Sequence, residues 1–510
     1  MKCTRFQTFL IIVILVSHVV AVRAQTSPST VPPNEERALR IVKALQLKLD
    51  RARGVAQFPG AQVGFVFVDG ETPEGRPHII SGSVATGVAD LQTSVPMKTT
   101  DRLLAGSIGK TFVSALALQL VQESKLNLDD KISKWLGTES WFSQLPNAKD
   151  ITLRMLLNHT SGIENHVDAG SFQKQLFKSA AHNIKHEELI AYVLNKKPLF
   201  IAGQGYNYGD TNYILAGIVI EKATGRDLYE LITERFLRPL KLDRTIPSNS
   251  LTLPEVANGY LEAKPVVVGG KFTINPQWEW AGGGFASTAE DLARWGYLLY
   301  GGEVLPPASM DQLFTTSAIG EGTAYGLGAM ITRSKWGRAY GHDGEFPGYV
   351  SDLRYYSKYK IAISVMVNSD ETPGVIRFLD AAADDFAGII IAATAQLQLS
   401  QAEQVKVRQL AENWLKLLDD GKYEENWALV SARLQARFSK AAWAETMRRF
   451  LDRAGKLKLR TFKSAFYSAP DSKSVAVDFE SQFTKLDKAS ESVSLTLENG
   501  VWKVAGYTLR

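Results

Sequence analysis

The sequence contains almost no cysteine: the one cysteine among its 510 residues is Cys3. Because Cys3 lies in an N-terminal leader, the rest of the chain can form no disulfide scaffold, cysteine nucleophile or cysteine-ligated metal site. An excess of one charge is also lacking. The formal net charge is +5, and removing Lys2, Arg5 and Arg23 of the leader from the 58 cations leaves 55 against 53 anions, or +2. That balance excludes the basic footprint of a nucleic-acid-binding protein.

The first 24 residues are typical of a secretory signal peptide. Lys2 and Arg5 precede an apolar run over 9–22, and Val22-Arg23-Ala24 offers a small-residue cleavage site. The run is short for a membrane span and is interrupted by two polar residues. We therefore expect an exported protein, periplasmic or secreted, with no stable membrane span after signal removal. An uncleaved anchor is the alternative.

The length of the chain predicts more than one hydrophobic core. Residues 25–36 are rich in Ser, Thr and Pro and are interpreted as a linker, residues 37–395 as one large domain, and residues 396–404 as a second, polar linker. Residues 405–510 are predicted to form a small separate α+β domain, because alternating apolar residues flank a hairpin signal at Asn499-Gly500. This domain contains no histidine or cysteine. Its role stays open between packing and ligand contact.

Strand patterns stand near both ends of the large domain, and helix patterns lie between them. A strand over 61–68 is followed by a return strand over 79–88, and the runs 348–356 and 360–367 predict a hairpin. An apolar helix over 386–395 can cover the sheet. This order predicts an α+β fold, with an antiparallel sheet flanked by helices and an all-helical subregion.

Ser107 and Lys110 stand three residues apart at the start of an apolar helix pattern. Positions i and i+3 share one face of a helix, so the hydroxyl and the amine would lie side by side. A serine becomes a good nucleophile when a neighbouring base takes its proton, and a partly buried lysine can be that base. The spacing alone is a weak signal, since a helix N-cap serine and a solvated lysine also fit it. His159, in the loop 158–162, is more simply interpreted as a hydrogen-bonded structural imidazole.

Two further short motifs follow in chain order, Tyr208-Gly209-Asp210 and His342-Asp343-Gly344. The order and spacing of the three motifs resemble those of the class C β-lactamase and DD-peptidase family of serine hydrolases, which carry S-x-x-K, Y-x-N and K-T-G or H-x-G. The resemblance covers residues 40–395. It includes stretches similar to the family's LLxHTSG, YSNxNYxLLG and GGxxSTAxDLxxF segments, at 154–162, 208–217 and 282–295. It implies a β-lactamase/transpeptidase-like fold and an enzyme that uses neither a metal nor an organic cofactor.

The resemblance also implies a role for each motif residue. Ser107 would attack a carbonyl and become acylated, while Lys110 and the Tyr208 phenol would share the proton transfers. The backbone N–H groups of Ser107 and Glu345 would form the oxyanion hole. A phenol has an ordinary pKa of about 10. Tyr208 can therefore act as a base only if nearby cations such as Lys110 and protonated His342 lower that pKa.

Two supporting residues, Asp210 and His342, depart from the commoner family pattern, whereas Gly344 matches it. Asp210 stands where Asn is usual, and its carboxylate would hold Lys110 in the charged form and repel a substrate carboxylate. His342 offers a charge that depends on pH, and Asp343 beside it adds a negative group. Both changes weaken the case for β-lactam hydrolysis. We also expect activity to change through the His342 titration between about pH 5 and 8.

The sequence thus predicts an exported serine hydrolase that acts through an acyl-serine on small esters, D-amino-acid peptides or amides, with β-lactams as secondary substrates. Its partner would be a small acyl compound, with cell-wall peptide as one candidate, and the oligomeric state is not indicated. One alternative is a non-turnover sensor or binding protein, similar to a penicillin-binding protein, in which Asp210 has disabled catalysis. Another is an α/β-hydrolase, because Ala105-Gly106-Ser107-Ile108-Gly109 is one residue from G-x-S-x-G and Ser107, Asp210 and His342 follow that fold's chain order. Against it, the chain lacks alternating strand and helix units.

Overall fold

The computed structural model describes residues 33–71, 77–178, 180–181, 184–320, 323–370, 372–394, 399, 401–467 and 473–509. The predicted signal peptide with Cys3, residues 25–32 of the first predicted linker and most of 396–400 lie outside these ranges. Helices begin at Pro33 and Gln401, so both start inside the predicted linkers. No helix in the described ranges is long and apolar enough to cross a membrane.

The large domain is built on a nine-stranded antiparallel sheet. In spatial order its strands are Ser317–Gly320, Thr323–Tyr325, Met330–Ser334, Gly337–Phe346, Tyr349–Tyr356, Ile361–Val367, Gly60–Glu71, Pro77–Asp90 and Val95–Pro96. Strands from the two ends of the domain meet in the middle of the sheet, where Ala61 pairs with Val367 and Val66 with Ala362. The predicted α+β class is confirmed by this arrangement.

Helices cover both faces of the sheet. Pro33–Ala56 and Pro373–Thr394 pack together on one face, around an apolar core. Ala289–Tyr300 packs on the other, so close that a Cβ added to Gly64 would stand 2.0 Å from the Ala289 carbonyl oxygen. The helix at 373–394 is longer than the predicted 386–395. Its first half buries only one face, and the sequence there is less continuously apolar.

An all-helical subregion lies between the strands of the two ends, and the two longest of its helices start at sequence motifs. Its α-helices are Lys110–Gln122, Ser133–Leu136, Leu153–Leu157, Gly170–Leu176, His186–Ala191, Asp210–Thr224 and Leu228–Ile232, and Pro307–Leu313 follows Ala289–Tyr300 along the chain. The helix Asp210–Thr224 ends at Gly225, whose φ of +67° is the left-handed conformation that favours glycine. A small sheet of Leu103–Leu104, Phe285–Ser287 and Ile246–Pro247 joins this subregion to the segment that leads into Ser107.

The C-terminal part of the chain forms a separate small domain with its own core around Trp414 and Trp443. Its helices are Gln401–Asp419, Tyr423–Trp427, Ala432–Arg437 and Lys440–Ala454, and its sheet is a meander of Leu457–Tyr467, Ser474–Phe483, Ala489–Glu498 and Val501–Leu509. The predicted hairpin at Asn499-Gly500 is present. Both residues have positive φ, 49° and 77°, and Glu498 pairs with Val501 across the turn.

Candidate active site

The nucleophile candidate Ser107 lies on a single 3-10 turn, Gly106–Gly109, that leads into the helix Lys110–Gln122. Gly106 has a φ of +53°, and a Cβ there would stand 2.4 Å from the backbone nitrogen of Glu345. Only glycine fits both the conformation and the close approach. The i, i+3 spacing brings the Lys110 Nζ to 2.7 Å from the Ser107 Oγ, as the sequence predicted.

The Lys110 amine is completely buried and has three acceptors around it. Besides Ser107 Oγ, it donates to the Gly282 carbonyl oxygen at 2.5 Å and to the Asp210 carboxylate. An ammonium group has three N–H donors, so each has one partner. Asp210 is the first residue of its helix, where a carboxylate is favoured by the helix dipole, and its backbone N–H donates to Asn165 Oδ1 at 3.0 Å.

Tyr208 is brought to the same place by the segment that precedes the Asp210 helix. Its ring centroid lies 5.1 Å from the Lys110 Nζ, and its hydroxyl hydrogen-bonds Ser107. Burial, and after it the Asp210 carboxylate, raise the pKa of Tyr208 well above its ordinary value, in spite of the Ser107 hydrogen bond. The condition under which Tyr208 could act as a base, a pKa lowered by nearby cations, is therefore not met, and the phenol keeps its proton in the free protein.

The third motif lies on the strand Gly337–Phe346, which runs past the end of its neighbour. The strand Met330–Ser334 pairs with it only as far as Gly341, so the edge beyond Gly341 faces the turn of Ser107. A Cβ added to Gly344 would stand 2.0 Å from the Ala105 carbonyl oxygen. Gly344 thus permits contact between the strand and the turn, and that contact places the backbone nitrogen of Glu345 beside the nucleophile.

His342 is buried, with 2% of its surface exposed. Its Nδ1 lies 2.6 Å from the Asp343 carbonyl oxygen, and its Nε2 lies 2.8 Å from the Tyr325 hydroxyl. A carbonyl can only accept, so Nδ1 carries the proton and the neutral Nε2 accepts from Tyr325. Burial, followed by the Lys110 charge, lowers the pKa of His342 to about 4. The expected titration between about pH 5 and 8 is not supported, because His342 is already neutral there.

The negative group that the sequence placed beside His342 is turned away from the pocket. Adjacent residues of a strand point to opposite faces of the sheet, and Asp343 forms an ion pair with Arg354 on the neighbouring strand. Arg354 also binds Asp352 at 2.9 Å. Asp343 therefore neutralises a cation instead of adding charge next to Ser107.

The α/β-hydrolase alternative is contradicted by these contacts. Its triad requires the histidine to bind both the serine and the acid. Here both His342 ring nitrogens are occupied by other partners, and Asp210 is paired with Lys110. The antiparallel sheet also differs from the mostly parallel sheet of that fold.

Two residues of the site were not assigned to it from the sequence, which favoured a structural role for the first, His159, and gave no indication of the second, Glu279. His159 is fully buried against Tyr208, with ring centroids 4.4 Å apart. Glu279 is 4% exposed, and its Oε2 has no hydrogen-bond partner among the described residues. Burial, and after it the Asp210 carboxylate, raise the pKa of Glu279 well above its usual range. A lone glutamate between two tryptophans carries no sequence signal for this environment.

The part of the chain that the structure describes contains no group of three or more His, Cys, Asp or Glu residues arranged to hold a metal ion. The arrangement around Ser107 is instead that of covalent catalysis. It combines a nucleophile, an amine at hydrogen-bond distance, a protonated phenol and a neighbouring strand-edge amide.

Family models match both parts of the chain. The beta-lactamase family model matches residues 50–387, which include all three motifs. A model described as a protein of unknown function, DUF4019, matches residues 410–507 of the C-terminal domain.

Individual proteins are similar to most of the chain. Penicillin-binding protein 4* of Bacillus subtilis (strain 168) is 24% identical over 407 residues, which cover 74% of this chain and 82% of that protein. The crystal structure of a D-stereospecific amidohydrolase from Streptomyces sp. has 28% sequence identity and a TM-score of 0.56, and it covers 66% of this chain and 98% of that one. The D-amino acid amidase from Ochrobactrum anthropi SV3, complexed with D-phenylalanine, shares the fold at 22% identity and a TM-score of 0.56, over 70% of this chain and 99% of that one.

Proposed function

This chain belongs to the beta-lactamase family, and on that premise we propose that Ser107 is the nucleophile of an exported hydrolase that cleaves small amides and esters of D-amino acids through an acyl-serine. The observation that carries the proposal is the 2.7 Å contact between Lys110 Nζ and Ser107 Oγ, with Tyr208 bound to the same hydroxyl. An amine and a phenol on one serine hydroxyl provide a proton acceptor and a proton donor at the reacting atom.

The acylation step follows from the order of these contacts. Ser107 Oγ attacks the carbonyl carbon, and its proton passes to Lys110 as Lys110 gives one of its own to Asp210. The protonated Tyr208 phenol donates to the leaving nitrogen or oxygen as that bond breaks, and it recovers a proton in the second step from the water that attacks the ester, while Lys110 and Asp210 return a proton to Ser107 Oγ. The negative charge on the carbonyl oxygen is stabilised by the backbone N–H groups of Ser107 and Glu345. Attack by water on the ester, with the same groups, releases the acid.

The charges of the pocket favour substrates without a carboxylate next to the scissile bond. His342 is neutral, and Arg354 is paired with Asp343 and Asp352. Among the described residues of the third motif, no free cation therefore remains to hold a carboxylate, while Asp210 would repel one. β-Lactams and D-Ala-D-Ala termini both carry that carboxylate. Simple amides and esters of amino acids lack this carboxylate. We therefore rank them above β-lactams as substrates.

Two similarities support the substrate class and one feature supports export. A relative at 28% identity is described as a D-stereospecific amidohydrolase, and the B. subtilis relative as a penicillin-binding protein. The first description names amide hydrolysis with D stereospecificity and the second names penicillin binding, so they concern the first-ranked and the second-ranked substrates, respectively. Residues 1–24 carry the features of a cleavable secretory signal.

A panel of substrates tests this proposal. Purified protein would be given D- and L-phenylalanine amide, the corresponding methyl esters and a penicillin, with Ser107→Ala as the control variant. We expect turnover of the D-amide and the D-ester, little turnover of their L counterparts or of the penicillin, and none by Ser107→Ala. Equal turnover by Ser107→Ala would contradict the assignment of Ser107 as the nucleophile. A preference for the penicillin would contradict the proposed substrate class.

The direct pairing of Asp210 with Lys110 also favours a second candidate, a binding protein that is acylated but not turned over. With its three N–H donors held by acceptors, Lys110 can leave the acyl-serine without a base for water. Time courses separate the two functions. One equivalent of released product followed by no further release indicates the acyl trap, whereas continued release indicates the hydrolase.

A further inference from the structure

His159 lies directly behind the residues proposed to move protons. It is 0% exposed and has a φ of +60°, a left-handed conformation in which residues other than glycine are uncommon. Its imidazole contacts the Tyr208 ring at 4.4 Å between centroids and the Tyr325 ring at 4.8 Å. The imidazole therefore forms the rear wall of the pocket that holds the phenol.

Two hydrogen bonds fix the segment 207–209 to this histidine. The Gly209 backbone N–H donates to His159 Nδ1 at 3.3 Å, and the Asn207 backbone N–H donates to the His159 carbonyl oxygen at 3.0 Å. Gly209 is the residue between Tyr208 and Asp210. The contact at its N–H consequently sets the position of the phenol on one side and of the carboxylate on the other.

The protonation of the imidazole is determined by these partners. Nδ1 also lies 3.3 Å from the Asn212 side-chain nitrogen, which is a donor, so Nδ1 accepts from two N–H groups and the ring proton is on Nε2. Nε2 has no hydrogen-bond partner among the described residues. Burial, followed by the charge of Lys110, lowers the pKa of His159 well below its usual value, which keeps the ring neutral.

We propose that His159 is a positioning residue, whose neutral Nδ1 holds the Gly209 N–H and thereby fixes Tyr208 and Asp210 at the nucleophile. The inference rests on the proposed function, since it concerns the same reaction. It assigns no proton transfer to His159, because the imidazole contacts neither Ser107 nor a path to the substrate. Displacement of a proton donor by about 1 Å can reduce a rate by about 10²-fold. We expect a loss of this size when the hydrogen bond between the Gly209 N–H and His159 Nδ1 is lost.

Two variants separate the hydrogen bond from the packing of the ring. His159→Asn removes the ring but can place an amide oxygen near the position of Nδ1, and Asn tolerates positive φ. His159→Phe keeps an aromatic ring and removes the acceptor. We expect His159→Asn to retain kcat within about fivefold and His159→Phe to lose about 10²-fold in kcat with little change in KM. The opposite ranking would overturn the proposal.

His166→Phe provides a matched control for stability. His166 is also fully buried, its Nδ1 lies 3.1 Å from Thr211 Oγ1, and its Nε2 is likewise unpartnered. We expect this variant to lower Tm as His159→Phe does and to keep kcat within about threefold. An equal loss of kcat in both variants would show that any buried histidine has this effect, and would contradict a specific role for His159.

Hydrogen exchange gives a readout that does not depend on activity. The Gly209 amide should exchange slowly in the native protein and in His159→Asn, and faster by about tenfold or more in His159→Phe. If no substrate is turned over but this pattern is found, the proposed function fails and the positioning role of His159 stands. If the Gly209 amide exchanges equally in all three proteins, the positioning role fails whatever the activity.

Discussion

The carboxylate of Asp210 forms an ion pair with the amine of Lys110, inside the pocket and at the position where the resembling family usually has asparagine. The amine nevertheless stays at 2.7 Å from Ser107 Oγ, so the pairing has not turned it away from the nucleophile. The pair shares one proton transfer path with Ser107. In the proposed acylation step, the Ser107 proton moves to Lys110 while a proton of Lys110 moves to Asp210.

Asp210→Asn should reduce the rate of acylation. In the proposed step the carboxylate accepts a proton from Lys110 as Ser107 loses its own, and a side-chain amide cannot take up that proton. We expect kcat for the D-amide to fall by about 10²-fold, with little change in KM. Steady-state kinetics of the native protein and the variant at neutral pH measure the loss. An unchanged kcat would mean that this pair takes no part in the proton transfer.

Tyr208→Phe should reduce catalysis without unfolding the protein. The phenol is bound to Ser107 and holds a proton for the leaving group. Loss of a general acid typically reduces the rate by about 10²–10⁴-fold, so kcat for an amide should fall by that amount. An activated ester, whose leaving group needs little protonation, should lose less. Equal losses for amide and ester would contradict the assignment of Tyr208 as the acid.

His342→Gln should leave the shape of the pH profile unchanged between about pH 5 and 8. The pKa of His342 is lowered to about 4, so the imidazole is neutral throughout this range and has no charge to lose. Glutamine can still accept from Tyr325, whose hydroxyl lies 2.8 Å from Nε2. A step near neutral pH in the native protein that disappears in His342→Gln would show that the histidine is charged after all.

Glu279→Gln should make the protein more stable at neutral and alkaline pH. A carboxyl whose pKa is raised by folding binds its proton more tightly in the folded state, so stability falls as pH rises above the unfolded-state value of about 4.3. Glutamine has no proton to lose. We expect Tm of the variant to exceed that of the native protein by about 2 °C or more at pH 8, with the gap closing towards pH 4.

The sequence was sufficient for the fold class and for the contact between Ser107 and Lys110. That contact depends on local geometry, because three residues make almost one helical turn. The hairpin at Asn499-Gly500 was predictable for the same reason, since the dipeptide itself favours the turn. Motif order supplied Tyr208, which lies 101 positions from Ser107 in the chain, and no periodicity could have placed it there.

The protonation states of the site could not be predicted in this way. His342 is neutral because Tyr325, on a different strand, binds its Nε2 and because the ring is buried. Asp343 is removed from the pocket because Arg354 lies beside it on the neighbouring strand. Each effect depends on a contact between strands, and the sequence around the third motif contains no sign of either partner. Burial likewise raises the pKa of Tyr208, whereas a role as base would require a lowered pKa.

The covalent step at Ser107 is tested most directly by the mass of the intact protein after exposure to a fluorophosphonate. We predict a single adduct, found on the peptide that contains Ser107, absent in Ser107→Ala and formed at least about 10²-fold more slowly in Lys110→Ala. No adduct between about pH 5 and 9, or an adduct of equal rate that survives in Ser107→Ala, would contradict the account.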